Sequence, residues 1–572
     1  MKILSIHDGH NASVCYFEDG KIIFAIQEER LNKKKNYLGP PVMSIKKIFE
    51  EYHLEPSDFD CVIFPFKHSP LPFDVSKIRD EWKNTFEKNI YRTRIKKLLR
   101  RTPFYTIHKR QTRKIRISQY TKLGFKESQI IFMDHHEAHA ATAYFGSPWF
   151  DKNEDVLILT LDGGGDGLCA TISIGSNGNV KRISQTSDLN SLGNIYSRAT
   201  FMLGFTPWEH EYKVMGMAPY VSKKYGEESY SIFSSYLSLD DNDSLKFKSS
   251  TSSSLLYKKM SKDTYGIRFD NICRGLQDFT EDLIVSWVQK AIRKTGIKKL
   301  ACAGGVFMNV KANKRIMEIP SVEDLFIFPS CGDETNVFGA CWHIYSKKIK
   351  EENLSGKIEK FEHMYFGNDI KDSEVESFFS KNKSKYVIQK ENNIGKTVGE
   401  LLSDNKVVAR ASGTMEFGAR ALGNRSILSN ASDLKNVQHI NQMIKKRDFW
   451  MPFAPVILEE RESDYLINKK GIDSRFMIMS FDTTDKRDDI IGAVHQADYT
   501  ARPQIINEKI NKEYYNILKS YESLTSFGGM MNTSFNLHGL PIVSDVEDAM
   551  YVMNNSGLDT MQLSNYIITK EN

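Results

Sequence analysis

The chain has 572 residues, 40% hydrophobic and 26% charged, with a net charge of +6. That length calls for two or more domains, and so small an excess of positive charge excludes nucleic-acid binding as a reading of composition alone. Seven cysteines without a C-x-x-C pair, a first stretch without a signal-peptide pattern and no run of about 20 apolar residues argue for a reducing cytoplasm and against a membrane span.

Residues 1–30 read as strand, turn, strand: KILSIHDG, then SVCYFED, then KIIFAIQ after Gly20. Residues 74–126 are a basic insertion, with an opening helix that ends at Pro103. Within it, 92–116 holds Arg92, Arg94, Lys96, Lys97, Arg100, Arg101, Lys109, Arg110, Arg113, Lys114 and Arg116, and no acidic residue. Two readings stay open, a solvated helical face or an entrance that attracts an anionic or membrane-associated acceptor. DHHEAHA (134–140) follows. On a helix His135 and His139 share one face, the spacing by which two imidazoles meet one metal ion, while His136 points elsewhere. The alternative is a polar helix start capped by Asp134.

VLILTLDGGGDG, LCATISIG and VKRIS then repeat the opening strand-turn-strand unit, so that Asp8-Gly9 corresponds to Asp162-Gly163, with Gly164 beside it. Two such units resemble the duplicated actin-like phosphotransferase fold, in which turn amides cradle nucleotide phosphates. HEYKVMGMAPY (210–220) offers Lys213 to a phosphate, and 235–265 reads as a surface excursion. LACAGGVFMNVKANKRI (300–316) reads as strand, Gly304-Gly305 turn and helix, with Asn309 and Asn313 on one face. LFIFPSCGDETNVFGACW (325–342) puts Asp333 in a turn after a buried strand, where it can join His135 and His139. Two imidazoles and a carboxylate suit iron(II) or zinc. Residues 345–362 read as a linker, which divides the chain into 1–362 and 363–572.

The second domain concentrates Arg410, Arg420, Asn424 and Arg425 in one segment and Lys445, Lys446 and Arg447 in the next. Arg502 stands in a third segment, and Asn532, Ser534 and Asn536 in a fourth. Arginine forks and lysine charges near Gly, Ser and Asn turns suggest one pocket for phosphate-bearing substrates. The alternative is surface charge tied up in salt bridges.

GHNAS, DHHEAHA, DGGGDG, KVMGMAPY, AGGVFMN, MEFGARALGNRS, MPFAP, TARPQ and NTSFN, in this order, resemble the O-carbamoyltransferases of the nodulation-factor, tobramycin and cephem type. The resemblance covers nearly the whole chain. It implies an α/β enzyme with a duplicated actin-like (ASKHA) N-terminal domain and a YrdC-like C-terminal domain. The C-terminal domain would make carbamoyladenylate from carbamoyl phosphate and Mg-ATP, and the N-terminal domain would pass the carbamoyl group to a hydroxyl-bearing acceptor. A sugar-containing compound, an anionic glycan or another natural product fits that acceptor; nucleic acid is not expected, and a homodimer is compatible. The metal ligands implied are His135, His139 and Asp333, for iron(II) or else zinc or another divalent ion. Arg420, Lys445, Arg502 and Ser534 match residues that hold carbamoyl phosphate or ATP, and His10 matches a residue near the transferred group and is the candidate base. One departure is Met451, where the family often has arginine before Pro-Phe-Ala-Pro, so Arg447 or Lys446 would compensate. Rival readings are a threonylcarbamoyl-type tRNA modification enzyme and an actin-like small-molecule kinase.

Overall fold

The computed structural model describes residues 1–68, 77–84, 103–152, 154–251, 253, 256–353, 355–382, 385–445 and 448–571, with backbone alone for 103–110. The chain divides into two compact units: Met1–Glu28 with Asn36–Phe361, and Glu29–Lys35 with Glu362–Asn572. No helix among the described residues is long and apolar enough to cross a membrane. All seven cysteines are buried and free of disulfides.

The first unit is built twice on one plan. Strands β1 (Lys2–His7), β2 (Ser13–Glu18) and β3 (Lys21–Gln27) form an antiparallel meander, and β4 (Cys61–Phe64) and β5 (Ile130–Phe132) add in parallel on the far side of β1. The order is β3-β2-β1-β4-β5. In the second sheet β6 (Val156–Gly165), β7 (Leu168–Ser176) and β8 (Asn179–Ser187) repeat the meander. A short antiparallel pair, β9 (Leu237–Leu239) and β10 (Phe247–Ser249), stands apart from it. Strands β11 (Lys299–Ala303) and β12 (Asp324–Ile327) then repeat the parallel extension, giving β8-β7-β6-β11-β12. This is the α/β, duplicated actin-like arrangement. The central strands β1, β4 and β11 and the first six residues of β6 are buried almost throughout, as strands covered on both faces must be.

Three segments differ from the sequence reading. Pro103 opens a helix, Pro103–Thr121, at the position where its fixed φ and missing N–H cost nothing. Arg92, Arg94, Lys96, Lys97, Arg100 and Arg101, the core of the cationic-entrance reading, lie outside the described residues. The stretch 235–265 is no surface excursion, since Leu245, Phe247, Leu256 and Met260 are at most 3% exposed and the Trp287 indole donates to the Leu245 carbonyl at 2.9 Å. The first part of 345–362 belongs to the helix Asn336–Glu351, and beyond it the Glu359 N–H donates to the Gly20 carbonyl at 2.9 Å.

The second unit is α/β around one eight-stranded mixed sheet. Its strands are β13 (Tyr386–Lys390), β14 (Val408–Ala411), β15 (Arg425–Ser429) and β16 (Ala454–Leu458), then β19 (Gln504–Ile506), β20 (Gly529–Ser534), β21 (Thr560–Leu563) and β22 (Tyr566–Lys570). A separate pair joins β17 (Phe481–Asp482) to β18 (Thr500–Ala501). The order is β13-β22-β21-β14-β15-β20-β16-β19. The four segments rich in basic and small polar residues therefore sit on or beside adjacent strands, β14, β15, β20, β16 and β19.

Candidate active site

The centre of the first unit is the helix His135–Gly146. Asp134 caps it by accepting the Glu137 N–H at 3.2 Å, so the capping reading and the imidazole-face reading both hold. Asp166, from the second glycine-rich turn, accepts the His135 N–H at 3.0 Å and the Lys67 and His68 N–H groups at 2.9 and 3.1 Å. His136 turns away, as its spacing implied, with Nδ1 2.7 Å from the Thr160 hydroxyl.

Four side chains converge. His135 Nε2 lies 3.3 Å from Asp162 Oδ2 and 3.4 Å from Asp333 Oδ1, and His139 Nε2 lies 3.2 Å from the same Asp333 oxygen. All four donor atoms fall within 4.8 Å of one another. Each comes from a different device. The two histidines are one helical turn apart. Asp162 stands where the β6–β7 register breaks between Leu161 and Gly165, and such a break aims a side chain out of the ladder. Asp333 opens a short 3-10 turn after β12, held by Ser13 Oγ donating to the Glu334 carbonyl at 2.9 Å. The Gly304-Gly305 turn presses on the same spot. Gly304 has φ +110°, a Cβ there would meet the Leu161 carbonyl oxygen at 2.4 Å, and the Gly305 N–H donates to Asp162 Oδ1 at 3.3 Å.

This set fits a divalent metal. Donors bound at about 2.0–2.2 Å around one ion stand roughly 3–3.5 Å apart, as the three histidine–aspartate pairs at 3.2–3.4 Å do. Two imidazoles with two carboxylates suit iron or zinc better than calcium or magnesium. The electrostatics agree. Burial alone would lower the His135 pKa, yet the Asp333 and Asp162 carboxylates raise it to about 9. Burial opposes ionisation of Asp162 and Asp333, but the histidines hold Asp162 well below the usual carboxylate range and lower Asp333 as well, against the neighbouring Asp162 charge. Sequence reasoning placed Asp162 with the nucleotide turns. The structure puts its carboxylate in the group of four side chains that could hold a metal ion.

His7, at the end of β1, stands beside this cluster. Burial lowers its pKa to about 4 against the pull of Asp333 and Asp8, and its Nε2 lies 2.9 Å from the His10 carbonyl oxygen. Asp8 is fully occupied within the protein. Arg116 grips both of its oxygens, Nε at 2.7 Å, and the Tyr120 hydroxyl adds a bond at 3.1 Å. The Arg116 guanidinium lies 4.3 Å from the ring centroids of Phe64 and Phe66 and 5.1 Å from that of Phe132. At 5% exposure Arg116 is a core residue, not part of a solvated basic face. No signal in the basic run could have separated it from its neighbours.

The His10 ring packs edge-on against Trp208, centroids 5.4 Å apart, and Trp208 packs against Trp82 at 5.8 Å. Trp208 has φ +66°, a left-handed conformation that costs a bulky residue about 1–3 kcal/mol. Its N–H donates to Glu211 Oε1 at 2.8 Å, and His210 Nδ1 accepts the Thr206 N–H at 3.2 Å. Lys213, on the helix Glu211–Met217, sets its ammonium 5.5 Å from the Phe205 ring. Asn309 caps the helix Val310–Met317 and exchanges hydrogen bonds with Gln277 at 2.9 and 3.0 Å, so its amide is spent on structure. Gly163 offers its carbonyl to Ser191 and Asn194 at 2.8 and 2.7 Å, and Gly164 has φ +149°.

In the second unit Lys445 is the hub. Its ammonium donates to the Ser534 carbonyl, to the Ser534 hydroxyl at 3.2 Å and to Asn536 Oδ1 at 2.6 Å. Arg420 and Arg502 are half-buried, and Arg447 lies outside the described residues. Arg425 is buried completely and donates to the carbonyls of Ser412, Gly413, Asn424 and Asn368 at 2.9–3.4 Å. Asn424 is held by Arg410, Asn511 and the Thr414 carbonyl, and Asn532 by Gln504 and the Ala421 carbonyl. These three polar residues, read from sequence as ligand contacts, make most of their hydrogen bonds within the protein, with Arg425 Nε and Asn532 Oδ1 buried without a partner.

A family model described as carbamoyltransferase N-terminus matches residues 2–342, and one described as carbamoyltransferase C-terminus matches 399–570. An uncharacterised protein of Methanocaldococcus jannaschii is 30% identical over 99% of each chain. The nodulation protein NolNO of Sinorhizobium fredii is 28% identical over 98% of this chain and 79% of its own. Among solved structures, full-length HypF in its phosphate- and nucleotide-bound form is 14% identical, with a TM-score of 0.36, over 62% of this chain and 47% of that one.

Proposed function

The chain belongs to the carbamoyltransferase family, and we propose that it is an ATP-dependent O-carbamoyltransferase. The second unit, YrdC-like by resemblance, performs the activation. Carbamoyl phosphate and water give carbamate and inorganic phosphate; a carbamate oxygen then attacks the α-phosphorus of ATP, and pyrophosphate leaves. Lys445, Ser534, Arg420 and Arg502 bind and orient the anionic groups. In the first unit an acceptor hydroxyl oxygen attacks the carbamoyl carbon, the bond from that carbon to the adenylate oxygen breaks, and AMP leaves. His10 takes the hydroxyl proton. His135, His139, Asp162 and Asp333 would hold the divalent metal, iron(II) by preference, which supplies Lewis-acid stabilisation of negative charge.

The observation that supports this most is the convergence of two imidazoles and two carboxylates at 3.2–3.4 Å in a chain matched in both halves by carbamoyltransferase models. The test is pyrophosphate release from ATP with and without carbamoyl phosphate. Release that ignores carbamoyl phosphate would sink the reading. Arg420→Ala and Ser534→Ala should stop that release, whereas His10→Ala should keep it and slow carbamoyl transfer. Equal loss of both steps in His10→Ala would reject the division of labour.

A further inference from the structure

We propose that Trp208 is the acceptor platform, an indole face on which the ring of a neutral or anionic carbohydrate stacks so that one hydroxyl meets His10. This rests on the reading of the first unit as the carbamoyl-transfer unit, and it names the acceptor's chemical class.

Three independent observations converge on the residue. The first is place: its ring centroid is 5.4 Å from that of His10, the candidate base. The second is exposure: a core tryptophan is covered, yet Trp208 is 39% exposed. The third is strain: φ is +66°, where tryptophan is a genuine outlier. A backbone held in an unfavourable region persists only where its surroundings over-determine it, and such residues gather at binding and catalytic sites. The surroundings do so here. Glu211 accepts the Trp208 N–H, and His210 closes the turn from both sides, Nδ1 accepting from Thr206 and its own N–H donating to the Thr206 carbonyl at 2.9 Å.

The chemistry of the patch selects the ligand. Trp82 stands nearly perpendicular to Trp208, 89° between their planes, and packs on Phe201 at 5.7 Å, so the indole is buttressed by further rings. An aromatic face carries negative charge and takes either a cation or polarised C–H groups. Protein cations already attend the neighbouring rings: the Arg198 guanidinium is 5.9 Å from the Trp82 ring, and the Lys213 ammonium 5.5 Å from the Phe205 ring. A cationic acceptor would be repelled there. A sugar ring offers an apolar C–H face and hydroxyls on its edge, so stacking on Trp208 turns an edge hydroxyl toward the imidazole.

The test uses the full chain with methyl β-D-glucopyranoside as a neutral probe and the methyl glycoside of glucosamine as a cationic one, read by saturation-transfer NMR on the sugar ring protons. Wild type should bind the neutral probe and bind the cationic probe more weakly. Trp208→Phe should keep most of the binding, and Trp208→Gly should weaken it about tenfold. Trp208→Gly should also melt no lower than wild type, because glycine adopts the left-handed backbone freely. A structural tryptophan would give the opposite result, a lowered melting temperature. Equal binding in Trp208→Gly, or no binding of the neutral probe to wild type, overturns the proposal. Carbamoyl-phosphate-dependent pyrophosphate release is measured on wild type in parallel. If that release is absent while sugar binding still follows Trp208, the transferase reading fails and the platform stands.

Discussion

Gly165 is not among the candidate metal donors, yet the position of one of them, His135, depends on it. A Cβ at Gly165 would lie 2.2 Å from both Cγ and Cδ2 of His135 and 2.6 Å from Nε2. Ordinary carbon–carbon contact is about 3.5–4.0 Å, so Gly165→Ala forces ring and strand apart by more than about 1 Å. The His135 ring cannot swing aside cheaply, because its helix is buried on nearly every residue and its N–H is fixed on Asp166. Overpacking of this kind costs about 1–3 kcal/mol. Metal–ligand distances tolerate roughly 0.2 Å, so a shift this large takes His135 out of the donor set altogether. The expected result is a protein that folds, melts somewhat lower and has a metal affinity weakened by at least about 10–100-fold. The assay is titration with iron(II) or zinc against a chelator of known affinity, with thermal melts of the metal-free protein alongside. Gly167→Ala is the control. Its Cβ would meet nothing within 4 Å but its φ is +92°, so it should lower the melting temperature and leave metal affinity alone. Wild-type affinity in Gly165→Ala would refute the argument that this contact positions His135.

Two further outcomes are expected. Arg116→Met should destabilise the protein by about 3–5 kcal/mol in urea titration, because it leaves Asp8 buried without its cation; adding Asp8→Asn should recover part of the loss. Arg425→Lys should cost on the order of 2 kcal/mol in the same measurement, since one ammonium cannot serve the carbonyls of Ser412, Gly413, Asn424 and Asn368 together.

What could be read from the chain was periodic or local. The Asp8-Gly9 and Asp162-Gly163 repeat gave the duplicated sheets, because each meander is local in sequence and marked by its turns. His135 and His139 were legible because helical spacing alone puts them on one face. The rest depends on long-range register. Asp162 looked like a phosphate-turn residue, and only the break in the β6–β7 ladder aims it at His135. Arg116 was one cation among eleven, and nothing local pairs it with a residue 108 positions away. Asn309, Asn424, Arg425 and Asn532 have the composition of ligand contacts, yet a buried amide or guanidinium must first satisfy its own donors. In these four most of that need is met by a helix cap, by carbonyls and by neighbouring side chains, while Arg425 Nε and Asn532 Oδ1 are buried without a partner. A residue type announces what it can bond to; the fold decides whether a ligand or the backbone takes the bond.

The membership of Glu29–Lys35 in the second unit carries a practical consequence. Arg30, 3% exposed, donates to the Gly418 carbonyl at 2.8 Å, and Lys33 pairs with Asp548. The polypeptide thus crosses from one unit to the other three times: after residue 28, after residue 35 and after residue 361. A fragment starting at residue 362 would lack seven residues of its own fold and leave the Gly418 carbonyl without its buried donor. Cutting the chain near 361 would sever the only covalent link of residues 362–572 to the rest of the chain and leave the packing of Glu29–Lys35 within the second unit as what joins the two pieces. Dissection of the two chemical steps is therefore better attempted with point substitutions in the intact chain than with separated halves.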